Sequence, residues 1–302
     1  IYSEFQMRVN YTYHCEKTMI KFNFIKNKYV IIEIFIIFIL SLIPLLWLSN
    51  GVILGHDSGF RLNFLTYYQN LLYSWNKIGN FGSDWSLYHG FLLIQLPETL
   101  FMAVTNSFEI GQKITFVYWF FLMGISMYIL VNSVFSDKKN WPLRLCASIF
   151  YMYNFYILQG WFIAERAKFS LYAALPIALL ILYNLFVRNV SIFKSAILFS
   201  LLYLFLNGGG SPPLYGGTII FLLTAFIIFT LFKIKKKGRY GLVFGIKSGV
   251  VFLITLILTN SFWLFPQIGL FKSSYSNALG ATGGVEGLLS WEKIISKYPN
   301  YC

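Results

Sequence analysis

YVIIEIFIIFILSLIPLLWLS, Tyr29 to Ser49, is the stretch that decides the fold. It is long enough to cross a bilayer as a helix, which takes about 20 apolar residues, and Glu33 is its one charge. Four lysines precede it, Lys17, Lys21, Lys26 and Lys28, and a polar segment with Asp57 follows it. A basic flank before an apolar run resembles a signal peptide, but the run is too long and lacks a small-residue cleavage pattern, so it reads as a retained first span.

Comparable runs recur down the chain. About seven reach spanning length: Tyr29 to Ser49, Ile114 to Val134, Leu145 to Ile163, Ser170 to Val187, Ser191 to Leu206, Leu214 to Phe232 and Ser248 to Leu270. Hydrophobic residues make up 57% of the chain and charged residues 12%, whereas soluble domains carry about a quarter charged. The fold class is therefore all-α, a polytopic transmembrane helical bundle. The expected organisation is a basic cytoplasmic segment over 1–28, a transmembrane domain over 29–270 that includes an extracytoplasmic loop at 51–113, and an extracytoplasmic segment over 271–302. Starting at Ile1 and stopping at Cys302, the chain reads as a fragment.

The net charge of +13 does not point to nucleic acid, because the basic residues are divided among short loops rather than gathered on one face. Orientation explains them better. With the N-terminus inside, most Lys and Arg lie on the inner side, including Arg8, Lys138, Lys139, Arg144, Arg188, Lys194 and Lys233 to Lys247, as the positive-inside rule requires. Trp47, Trp119, Trp161 and Trp263 fall near outer span ends and Trp141 near an inner one, the placement of an aromatic belt. Cys15, Cys146 and Cys302 form no CxxC and read as incidental thiols.

The loop at 51–113 carries the candidate chemistry. Phe64, Leu65, Tyr68, Leu71, Leu72 and Trp75 recur at helical spacing and predict an interfacial helix. Asp57 or Ser58 is placed to cap its first turn. A second short helix is expected to begin at Pro97, where a missing amide hydrogen is harmless. Asp57 suits a general base, a metal ligand or a helix cap with an i,i+4 partner in Arg61. Glu165, Arg166 and Lys168 crowd a very short outer connection, where two cations can hold a phosphate or simply stop the helices sliding. His56, Asp84 and His89 are further polar candidates, but no HExxH or comparable spacing makes a His-metal site of them. The sequence calls for no cofactor, and nothing in it supports a divalent cation. Glu33, a turn inside the basic boundary, is expected to reach Lys26 or Lys28.

Several motifs together resemble the polytopic lipid-sugar-dependent glycosyltransferases of the GT-C class, the alpha-(1→3)-arabinofuranosyltransferase family and its archaeal and bacterial relatives among them. They are Gly55-His56-Asp57, Tyr73-Ser74-Trp75-Asn76, Phe81-Gly82-Ser83-Asp84, Leu96-Pro97, Ala147-Ser148-Ile149-Phe150-Tyr151-Met152-Tyr153-Asn154 and Ala173-Ala174-Leu175-Pro176. The resemblance covers about residues 29 to 235. It implies an acidic catalytic residue in the first outer loop, where only Asp57 stands at the matching position. It further implies a polyprenyl-phosphate sugar donor bound through Arg61, Arg166 or Lys168, a glycan or lipid-linked hydroxyl acceptor, and an active extracytoplasmic face. It leaves metal dependence open. The rival classes are a transporter or lipid flippase and a non-enzymatic membrane scaffold. The first predicts broken spans near the midplane and coupled ionisable groups, and the second predicts no need for Asp57.

Overall fold

A computed structural model describes residues 28–46, 48, 51, 64–73, 75–76, 83–84, 86–163, 166–206 and 212–281. Among these the protein is helical, apart from a two-residue antiparallel ladder that pairs Trp75 with Asp84 and Asn76 with Ser83. The helices are α1 (Lys28–Ser41), α2 (Phe64–Leu71), α3 (Leu92–Thr105), α4 (Phe108–Val134), α5 (Trp141–Met152), α6 (Phe155–Ile163), α7 (Arg166–Phe186), α8 (Ile192–Leu206), α9 (Pro212–Lys237) and α10 (Arg239–Ala281). Short 3-10 turns cover Ile43–Leu46, Ser86–Phe91 and Lys138–Asn140.

Among the described residues, five helical stretches are long and apolar enough to cross a membrane: Tyr29–Leu46, Phe108–Val134, Ala167–Phe186, Gly216–Lys237 and Arg239–Pro266. They mark the chain as an integral membrane protein. Two of the expected runs take a different form. The run from Leu145 to Ile163 is two helices, α5 and α6, separated at Tyr153 and Asn154, and the run from Ser191 to Leu206 is the 15-residue α8.

Helix α7 is the axis of the bundle. In the hydropathic window of α7, 72% of residues are buried, against 17% in α9 and 22% in α10, so α7 is surrounded by protein while α9 and α10 present most of their apolar surface outward. Its first turns, through Phe169 and Ala173, join a hydrophobic cluster with Ile37 of α1, Ile94 of α3, Phe116 and Phe120 of α4 and Met152 of α5. Its later turns join a second cluster with Phe199 of α8, Leu222 of α9, and Phe252 and Trp263 of α10.

Two devices, one polar and one of small residues, hold helices together where apolar burial gives little direction. Against α8, Asn260 of α10 donates to the carbonyl of Ser200 at 3.2 Å and accepts from Trp263 Nε1 at 2.9 Å, and Ser200 Oγ donates to Thr255 Oγ1 at 3.0 Å. Against α9, α10 presents Gly241, Gly245 and Gly249, a small-residue stripe at four-residue spacing of the kind that lets membrane helices approach closely. A Cβ at Gly241 would lie 2.5 Å from the Lys233 carbonyl oxygen, so the backbones meet there without intervening side chains. The turn between these helices is Gly238, whose φ of +53° is the left-handed conformation that ends a helix most cheaply at glycine.

Proline positions account for the rest of the helix shaping. Pro44 cannot donate to the carbonyl of Leu40, and Pro176 cannot donate to that of Tyr172, because proline lacks the amide hydrogen that a helix sends back four residues. Both carbonyls are met from the α5–α6 break: the Tyr153 hydroxyl donates to Leu40 and the Tyr151 hydroxyl to Tyr172, the latter at 2.7 Å. The break itself is built by Asn154, whose Oδ1 accepts from the Ile157 amide at 3.1 Å as a cap for α6, while its Nδ2 donates to the Tyr151 carbonyl at 2.9 Å.

Tyr151→Phe is therefore expected to cost about 1–3 kcal/mol, the range for leaving a buried acceptor unmet. The cost should shrink in a Pro176→Ala background, where the restored backbone amide takes over the Tyr172 carbonyl. Denaturant titration of the four proteins of that cycle measures the coupling. An equal cost in both backgrounds would mean that the tyrosine and the proline are not linked.

The loop differs from expectation in two respects. The interfacial helix ends at Leu71, so Trp75 lies in the ladder rather than on the helical face. The following helix begins at Leu92, not at Pro97, which sits inside it. Burial explains the earlier start. Ile94 is fully enclosed and Gln95 nearly so, and packing these positions outweighs the preference of proline for a first turn.

Candidate functional site

Lys168 is the described member of the predicted cation pair. It lies in the first turn of α7, directly after Arg166 and Ala167, and is 7% exposed. A buried ammonium needs compensation, and part of it comes from aromatic faces: Nζ stands 3.6 Å from the centroid of the Tyr156 ring, within reach for a cation–π contact. Tyr156 rests on Tyr172 with centroids 5.2 Å apart and planes 22° apart. Tyr172 in turn rests on Tyr151 at 5.1 Å and 27°. A column of three tyrosines from α5, α6 and α7 thus supports the lysine, and it exists because Asn154 turns the chain between the first two.

On the other side of α7 from Lys168 lies an apolar groove of about 270 Å³ between α4, α7 and α8. Trp119 and Ile125 line it from α4, Ser170 and Ala173 from α7, and Leu202 and Phe205 from α8. Ser170, half a turn beyond Lys168, spends its hydroxyl on the carbonyls of Ala167 at 3.0 Å and Phe205 at 3.3 Å. The groove walls are therefore apolar in effect. Trp119 Nε1 is buried with no hydrogen-bond partner among the described residues.

The other sequence candidates are less closely gathered. His56, Asp57, Arg61 and Glu165 lie outside the described residues. Arg166 opens α7, and Asp84 sits in the ladder opposite Trp75; the side chains of both lie outside the description. His89, in the 3-10 turn Ser86–Phe91 that packs against α10, has a buried Nε2 with no hydrogen-bond partner among the described residues. No group of His, Cys, Asp and Glu among the described residues is placed to hold a metal ion.

Among the described residues Glu33 is held by Arg144 of α5, while Lys26 and the side chain of Lys28 lie outside the description: Arg144 Nε donates to one carboxylate oxygen at 2.9 Å and Nη2 to the other at 2.8 Å. The pair is almost wholly buried, with side chains 4% and 5% exposed. Arg144 Nη1 also donates to the Asp137 carbonyl at 2.9 Å, tying α1, α5 and the end of α4 together. Glu98, which sequence reading did not single out, is 4% exposed in α3, a turn from the similarly buried Gln95. The signal was the spacing of these two polar residues with Ile94 and Met102 on one helix.

No family model matches the chain, and no curated protein or solved structure does. What fold and composition define is the class, a helical integral membrane protein with a tyrosine-supported lysine at the start of its most buried helix.

Proposed function

We propose that the protein is a GT-C-type glycosyltransferase that moves a sugar from a polyprenyl-phosphate donor to a hydroxyl acceptor at the extracytoplasmic face. The observation that carries this reading is the buried Lys168 ammonium over the Tyr156 ring at the start of α7, a membrane-length helix whose opposite face lines an apolar groove. A lipid phosphate needs a cation for its head, and Lys168 places one at the start of a membrane-length helix. Arg61 and Arg166 supply further positive charge in this reading. Asp57 takes the acceptor hydroxyl proton as that oxygen bonds to the anomeric carbon. The bond from that carbon to the phosphate oxygen breaks with its electron pair, and the basic residues stabilise the departing lipid phosphate. One displacement inverts the anomeric centre.

The finer topology belongs to the same proposal. The N-terminus is cytoplasmic, α5 and α6 together make one crossing, and α8 makes another, for about seven spans. The discontinuity between α5 and α6 is also a feature of transporters. That second reading is distinguished by supplying labelled lipid-linked sugar to proteoliposomes: transfer yields a labelled acceptor, transport only relocated label.

Donor binding gives the direct test. Reversing Arg166 and Lys168 to glutamate should weaken binding of a polyprenyl-phosphate sugar by about tenfold or more, since charges near low-dielectric lipid are poorly screened. Lys194→Glu, at an exposed position, should change it little. Lys168→Gln is the milder companion if the reversal unfolds the protein. Equal affinities in Lys168→Gln, Lys194→Glu and wild type would return the pair to a structural role.

A further inference from the structure

A second groove, of about 700 Å³, lies at the seam between α1 and α5, within the roughly 300–1,000 Å³ of ordinary ligand sites. It is on different helices from the groove between α4, α7 and α8 and is independent of the glycosyltransferase reading. Its walls are apolar, with Ile32 and Ile36 from α1 and Leu145 from α5, and the Glu33–Arg144 pair forms part of its lining. At its rim stand Lys139 and Trp141, both exposed.

The charges in this groove are not equivalent. Arg144 commits Nε and Nη2 to the two oxygens of Glu33 and Nη1 to the Asp137 carbonyl, so the pair is internally neutral and has little left for a ligand. Lys139 is different. Its backbone amide donates to Asp137 Oδ1 at 3.2 Å, but no carboxylate among the described residues lies within ion-pair distance of its ammonium. Among the described lining residues, Lys139 is therefore the cation that forms no ion pair, over apolar walls.

Its position says what fills it. The α1 span has a mean hydropathy of 2.7 and only 28% of its residues are buried, so Ile32, 53% exposed, faces acyl chains. Glu33 lies roughly 7 Å below the start of α1 at 1.5 Å per residue, and Trp141 is the first residue of α5. Aromatic rings at helix ends mark head-group depth, and basic pockets between membrane helices at that depth bind anionic head groups. We infer that this seam is a binding site for an anionic glycerophospholipid, its phosphate on Lys139 and the Trp141 indole N–H, its first methylenes along Ile32, Ile36 and Leu145.

The test is lipid retention by native mass spectrometry of the protein purified in zwitterionic detergent, titrated with phosphatidylglycerol or phosphatidylcholine. Wild type should retain phosphatidylglycerol preferentially. Lys139→Glu should lower its affinity by about tenfold, given the contribution of one basic residue near a charged head group, with Lys139→Gln intermediate and Lys194→Glu unchanged. Ile36→Trp should reduce retention of both lipids by filling the groove, and glycerol 3-phosphate, which lacks chains, should not compete. Equal retention of the two lipids by wild type would overturn the assignment, as would undiminished phosphatidylglycerol preference in Lys139→Glu and Lys139→Gln. Displacement by glycerol 3-phosphate at lipid-like concentrations would replace it with a soluble-anion site.

Discussion

Arg144→Leu, with Glu33 left in place, is expected to destabilise the bundle by about 3–5 kcal/mol, the scale for removing one partner of a buried ion pair. The carboxylate it abandons is 5% exposed, and both its oxygens lose their described donors. The carbonyl of Asp137 loses one as well. Glu33→Leu leaves the mirror-image problem, a guanidinium without its counter-charge. The double replacement should cost far less than the two single costs added, because it removes both charges and leaves apolar side chains in an apolar seam. Unfolding of the detergent-solubilised proteins by increasing denaturant, followed by circular dichroism, measures all four corners of the cycle. Additive costs would show that Glu33 and Arg144 act separately, contrary to their geometry.

The same pair shows where sequence reading stops. Glu33 stood out because a charge inside a span is costly, and its neighbours in sequence were lysines. Its partner is 111 residues away, and nothing in a single sequence specifies that distance. The apolar runs were readable because each must supply enough hydrophobic length by itself. Helix breaks were harder: the residues from Leu145 to Ile163 are apolar enough to span, yet Asn154 caps a new helix in their midst. The pairing of Tyr151 and Tyr153 with carbonyls freed by Pro176 and Pro44 follows from backbone chemistry once the helices are placed, but not before. The glycines at 241, 245 and 249 were not singled out from the sequence, although their four-residue spacing carries the signal of a close helix contact. For the candidate site, the short charged connection drew attention to Lys168, whereas the tyrosine column beneath it is assembled from three helices and left no local signal.

The largest functional effect is expected at Asp57. In the glycosyltransferase reading its carboxylate removes the acceptor proton, so Asp57→Asn should lower sugar transfer by roughly 100-fold or more, the scale for losing a general base and equivalent to about 2.7 kcal/mol of barrier. Asparagine is nearly the same size and caps a helix as well as aspartate does, so the change removes charge and basicity while sparing the local fold. Donor binding should change little, because the phosphate is assigned to Arg61, Arg166 and Lys168. Asp84→Asn is the control. Its residue pairs across the short ladder with Trp75, on the same loop and of the same chemical type, but it has no assigned part in proton removal and should cost far less. The assay uses purified protein, a panel of polyprenyl-phosphate sugars and a hydroxyl acceptor, with transfer and donor binding measured on the same preparations. Near-normal transfer by the Asp57→Asn protein would remove Asp57 as the base. Absence of transfer by wild type across the donor panel, with donor still bound, would instead favour a protein that carries or holds lipid-linked sugar without reacting it.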